Sequence, residues 1–121
     1  MQKQRQGRII NTASNYGVTG SARRTPYSAA KAGVIAFSKS LAMELAPHGI
    51  RVNVVAPGPT DTARVMKNWT QEMRKQREAE IPLGRTGRPE DLAEAFYFLC
   101  SPASDWITGY TLHANGGLVM P

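Results

Sequence analysis

The seven residues Ile50–Ala56 (IRVNVVA) constrain the fold of this chain more than any other stretch. They form a β-branched, near-continuous apolar run that stops abruptly at PGPTDT, the character of a parallel strand covered on both sides rather than a half-solvated antiparallel one. A parallel strand needs crossovers. A second β-branched run, Arg8–Ala13 (RIINTA), precedes it as a buried strand ending at Ser14, and YTLHANGG near the carboxyl end reads as a last strand entering a Gly-Gly turn. Between the first two strands the spacing of Ala30, Val34, Phe37, Leu41 and Leu45 predicts a helix over 26–47, with Pro26 in its first turn and Pro47 and Gly49 at its end. Before the last strand, RPEDLAEAFYFLCS places a proline and early acidic residues ahead of an apolar face, as at a helix amino end. Strand, helix, strand, helix, strand implies an open α/β sheet with right-handed crossovers.

Other segments are less patterned. Residues 15–25 (NYGVTGSARRT) read as a loop. Residues 62–80 are polar, with one modest stripe of Val65, Met66, Trp69 and Met73, and read as a lid or a surface helix. In the stripe, Met66, Trp69 and Met73 either line a substrate pocket or pack as a helix seam. There is no internal repeat and no low-complexity linker, so 121 residues with 41% hydrophobic content predict a single domain, 1–121. The only cysteine, Cys100, excludes an internal disulfide, reads as a small apolar residue on a helix, and fits a reducing, cytoplasmic setting. MQKQRQGRII lacks an apolar segment of the ~7–15 residues a secretory leader carries, and no run approaches the ~20 residues of a membrane span.

The net charge of +6 is uneven: residues 1–80 carry thirteen Lys/Arg against five Asp/Glu, residues 81–121 two against four. The basic residues are scattered without aromatic platforms or a nucleic-acid motif, so solvated faces, or attraction to a phosphate-bearing cofactor or substrate, explain them more simply than nucleic acid. His48 and His113 lack neighbours at metal-ligand spacing.

Chemistry concentrates at Ser14, Tyr27 and Lys31. Four residues make about one helical turn, so Tyr27 and Lys31 share a helix face and an ammonium lies beside a phenol. A fixed cation favours phenolate, which makes such a pair a proton donor and acceptor near neutral pH. Ser14, at a strand end, is a hydrogen-bond donor for a substrate oxygen on which negative charge develops.

Four ordered elements, Ser14 with Tyr27-Ser-Ala-Ala-Lys31, Asn53-Val-Val-Ala-Pro57-Gly58, Gly84-Arg85 through Arg88-Pro89-Glu90-Asp91, and Ile107-Thr108-Gly109 through Asn115-Gly116-Gly117, resemble the short-chain dehydrogenase/reductase family. The likeness is greatest to its 3-oxoacyl-acyl carrier protein reductase branch. It implies Ser14, Tyr27 and Lys31 as catalytic residues, with Tyr27 and Lys31 also against the nicotinamide ribose of NAD or NADP. It further implies Pro57, Gly58, Thr60 and Thr62 as the loop holding the nicotinamide carboxamide, with Asn53 supporting that loop. The expected reaction is hydride transfer between the nicotinamide and a ketone or secondary alcohol. The expected partners are that small molecule and further copies of the chain, as dimer or tetramer, with neither nucleic acid nor membrane.

The resemblance covers the C-terminal half of such a Rossmann-type doubly wound parallel sheet: about three strands with flanking helices, the N-terminal nucleotide-binding half absent. The opening strand, Gly-rich turn and helix that hold the pyrophosphate have no counterpart, and GVTGSA at 17–22 lacks their glycine spacing. MQKQRQ resembles the tail of a preceding helix, and the resemblance thereby implies, as an expectation, an internal methionine at Met1. Two expectations follow: an oxidoreductase that works when the other half is present, or a noncatalytic fragment acting by self-association or by binding a full-length relative.

Overall fold

The computed structural model describes residues 1–121. Strand β1 (Gly7–Thr12) leads through a short helix α1 (Tyr16–Thr19) into the long helix α2 (Thr25–Leu45), then strand β2 (Ile50–Pro57). Helices α3 (Ala63–Asn68), α4 (Gln71–Glu80) and α5 (Pro89–Cys100) follow, and strand β3 (Thr111–Ala114) completes the elements. The sheet order is β1-β2-β3, all parallel, with Arg8 opposite Arg51, Asn11 opposite Val54, and Val54 opposite Thr111. The α/β half-sheet expected from the sequence is the observed fold.

Side chains alternate along β2, and each set meets a different helix. Val54 and Ala56, with Ala13, pack against Val34 and Ile35 of α2. Arg51, of opposite parity, donates from Nη2 to the Leu99 carbonyl at the end of α5 at 3.4 Å. Helices α2 and α5 therefore cover opposite faces. Both crossovers step the same way along the sheet, so with helices on opposite faces they have opposite hands. The expectation of two right-handed crossovers holds for only one.

Only 17 of 121 residues are buried, among them Ile50, Val52, Asn53, Val54, Val55 and Ala56, so the middle strand is the core. Strand β1 has one neighbour and keeps an open edge. Helix α2 rotates its seam from the expected stripe: Ser38 and Ala42 are its buried residues, whereas Phe37 is 59% exposed. A polar residue sits at the centre of this seam because it is fully bonded, Ser38 Oγ donating to the Val34 carbonyl at 2.7 Å and accepting from Asn11 Nδ2 at 2.9 Å.

Local chemistry sets several boundaries. Helix α2 ends in a 3-10 turn, Ala46–His48, closed by Gly49 at φ 69°. The 62–80 segment is two helices: Thr62 Oγ1 accepts from the Val65 N–H at 3.4 Å, and Thr70 Oγ1 accepts from the Met73 N–H at 3.2 Å after a break at Trp69. Its stripe divides accordingly, with Val65 and Trp69 half-buried and Met66 and Met73 exposed. Asp91 accepts from the Arg88 N–H at 2.7 Å and starts α5, whose Leu92, Ala95, Phe96 and Leu99 form the covered stripe. Cys100, the last residue of α5, lies on a helix as read from its setting, and is exposed. The amino-terminal MQKQRQ makes one 3-10 turn, Gln2–Gln4. No helix is long and apolar enough to cross a membrane.

Candidate active site at the carboxyl ends of the strands

Ser14, Tyr27 and Lys31 gather at the carboxyl end of β1, where ligands bind open α/β sheets. Lys31 reaches back from α2 to donate from Nζ to the Thr12 carbonyl at 2.9 Å. The same Nζ lies 5.8 Å from the centre of the Tyr27 ring. One of three ammonium donors is spent on the backbone, leaving two for a ligand. Tyr27 is 43% exposed, and its hydroxyl makes no hydrogen bond within the chain. Ser14 is buried; its Oγ accepts from the Tyr16 N–H at 3.2 Å, which leaves the hydroxyl proton to donate.

The loop after β2 is tied to the end of β3. Pro57 O accepts from the Asn15 N–H at 3.3 Å, and the Gly58 N–H donates to the Ala114 carbonyl at 3.0 Å. A Cβ on Gly58 would stand 2.8 Å from Asn115 Cα, so no other residue fits without displacing backbone. Thr60 is buried and donates from Oγ1 to the Gly58 carbonyl at 3.0 Å, while exposed Thr62 caps α3. Both hydroxyls thus shape the loop. Asn53 supports a different segment from the 57–62 loop that the resemblance implied: Nδ2 donates to the Ile107 carbonyl at 2.9 Å and Oδ1 accepts from the Tyr110 N–H at 3.0 Å, fastening β2 to the approach to β3.

Residue patterns gave no warning of three further features. Asn115 Nδ2 donates to Asn15 Oδ1 at 3.2 Å across one hundred residues, and Asn15 Nδ2 is buried with no partner. The Tyr16 ring meets Tyr27 edge-on, centres 6.5 Å apart, with the Arg24 guanidinium 5.5 Å above Tyr16 and Arg77 donating to its hydroxyl at 3.4 Å. Arg74 forms an ion pair with Asp61 and donates to Thr86 Oγ1 at 3.0 Å, while Thr86 donates to Asp61 at 2.8 Å, pinning α4 to the 57–61 loop. The Asp61 and Glu78 carboxylates raise the Arg74 guanidinium pKa further.

The donors suit a nicotinamide nucleoside: two ammonium hydrogens, a free phenol, and an unpartnered buried amide beside the 57–60 loop, facing hydroxyl and carbonyl acceptors. They offer no phosphate cradle. Gly17 lies in α1 and a Cβ there would be 2.7 Å from the Lys31 carbonyl carbon, so this glycine serves close packing of α1 on α2.

A parallel half-sheet flanked by helices, with a Tyr-Lys helix at its carboxyl end, defines part of an α/β domain of Rossmann type. The family described as enoyl-(acyl carrier protein) reductase matches residues 1–119. The 3-oxoacyl-(acyl-carrier-protein) reductase FabG of Vibrio cholerae is 50% identical over 120 residues, 99% of this chain and 49% of that protein. FabG of Aquifex aeolicus is 48% identical over 120 residues (98% and 47%), and FabG of Escherichia coli 48% over 122 residues (99% and 49%). The chain belongs to the short-chain dehydrogenase/reductase family. It spans about half the length of the curated relatives it matches.

Proposed function

We propose that this chain carries the proton-transfer and nicotinamide-side half of an NAD(P)-dependent reductase of ketones or secondary alcohols, of 3-oxoacyl type, working in the cytoplasm. The observation that carries this is the placement of Lys31, bonded to the Thr12 carbonyl and set against Tyr27. In reduction the Tyr27 hydroxyl gives its proton to the carbonyl oxygen, and Ser14 donates to the same oxygen as charge builds there. The Lys31 ammonium stabilises negative charge left on the Tyr27 oxygen and holds ribose hydroxyls with its free donors. The nicotinamide, when bound, supplies the hydride. Pro57, Gly58 and Thr60 present backbone groups to its carboxamide, with Thr62 fixing the direction in which the chain leaves.

The test supplies the missing length. The chain is co-expressed with the amino-terminal half of the Vibrio cholerae relative, and NADPH- and NADH-dependent reduction of an acetoacetyl thioester is followed. Turnover is expected with both halves and none with the chain alone. Turnover that persists in Tyr27→Phe overturns the assignment.

A second reading, association without catalysis, is favoured by the open edge of β1 and by Phe37 and Met43, 59% and 73% exposed on α2. Sedimentation as a folded monomer at all concentrations excludes it.

A further inference from the structure

At the amino ends of β1 and β2, opposite the Ser14-Tyr27-Lys31 end, lies a cleft of about 610 Å³. Its walls are the starts of both strands, the turn that ends α2, and the 105–108 segment. The size is that of a small-molecule site. Its only charged lining residues are Arg8, Arg51 and Asp105, two cations to one carboxylate.

The two arginines differ in what they have left to give. Arg51 is consumed by the fold: its guanidinium donates to the Leu99, Ser101 and Ile107 carbonyls as well as to Asp105. Arg8 has a single acceptor, Asp105 Oδ1, at 3.0 Å, and its Nε is buried with none. A guanidinium has five donors in a planar fork, so Arg8 holds unspent hydrogen-bonding capacity inside the cleft. On the rim, Trp106 is fully exposed and packs on nothing. An under-used guanidinium beside a bare indole matches an anion with a flat apolar body, the charge meeting Arg8 and the body stacking on Trp106.

We propose that this cleft binds a small aromatic or similarly flat anion, a phosphate or carboxylate, independently of the site at the other end of the sheet. Calorimetric titration of the 121-residue chain uses phenyl phosphate, benzoate, inorganic phosphate and phenol as probes. Phenyl phosphate, benzoate or both saturate, inorganic phosphate binds more weakly and phenol not at all. Arg8→Gln weakens binding about tenfold or more, the loss of one charge-assisted hydrogen bond. Trp106→Ala, which removes no packing contact, weakens the aromatic probes toward inorganic phosphate and keeps the test decisive if Arg8→Gln misfolds. Lys31→Met leaves binding unchanged. Absence of saturation by ~10 mM, a range weaker than any useful site, overturns the proposal. So does equal binding by Trp106→Ala, or a concentration-dependent dimer abolished by Trp106→Ala with no probe binding, which would make the cleft a seat for a second copy.

Discussion

The ammonium of Lys31 stands 5.8 Å from the centre of the Tyr27 ring, held there by its bond to the Thr12 carbonyl. The pair is therefore fixed by β1 as well as by its helix. Tyr27 is 43% exposed and bonds nothing in the chain, so Tyr27→Phe should leave stability within about 0.5 kcal/mol while cutting reconstituted turnover by roughly 10²–10⁴. Lys31→Met lowers turnover too, and also loses the backbone bond, about 1 kcal/mol. Chemical denaturation alongside the rate assay separates the two effects.

Gly58 and Gly33 make a matched pair. Ala at Gly58 meets Asn115 at 2.8 Å and costs roughly 1–3 kcal/mol, whereas Ala at Gly33, mid-helix with open space around it, adds roughly 0.5–1 kcal/mol. Midpoints that shift the same way in urea would refute the packing argument.

Thr86 is buried and joins Asp61 to Arg74. Thr86→Val removes both bonds and costs about 1–3 kcal/mol. Its signature is local: faster amide hydrogen exchange in residues 63–80, with β2 unchanged.

Acid weakens the fold through two groups. The Arg85 guanidinium, then bonds from Arg88, hold the Asp91 carboxyl well below the usual carboxylate range. The unfolded chain thus takes up a proton near pH ~4 that the folded chain refuses. Its contribution is present above that pH and lost as pH falls further. Burial lowers the His113 imidazole pKa, so its contribution is complete above about pH 6.5 and erodes as pH falls below that. Asp91→Asn flattens the lower limb of a stability–pH curve and His113→Gln the upper; a curve unchanged in either variant contradicts the corresponding assignment.

Periodicity exposed the elements because each period is a local property. Ile50–Ala56 announced a parallel strand, Tyr27 and Lys31 a shared helix face, and Pro89 with Asp91 a helix start; all three stand in the structure. The loop read at 15–25 hides α1 because its four residues, YGVT, carry no period to detect. Phe37 misled because a 3.6-residue stripe admits two neighbouring seams, and the choice fell to Asn11, which supplied a partner for Ser38.

The sequence by itself determined the order of strands and helices, the family motifs and the Ser14, Tyr27 and Lys31 set, since these depend on spacings of a few residues. Tertiary structure alone decided that α2 and α5 lie on opposite faces, that Asn115 passes too close to Gly58 for a side chain, that Asn15 keeps an unpartnered amide beside the loop, and that Arg8 and Trp106 border one cleft. Those relationships join residues tens of positions apart. No local period encodes them; they arise when the chain closes its sheet and backbone and side chains compete for the same space and the same hydrogen bonds.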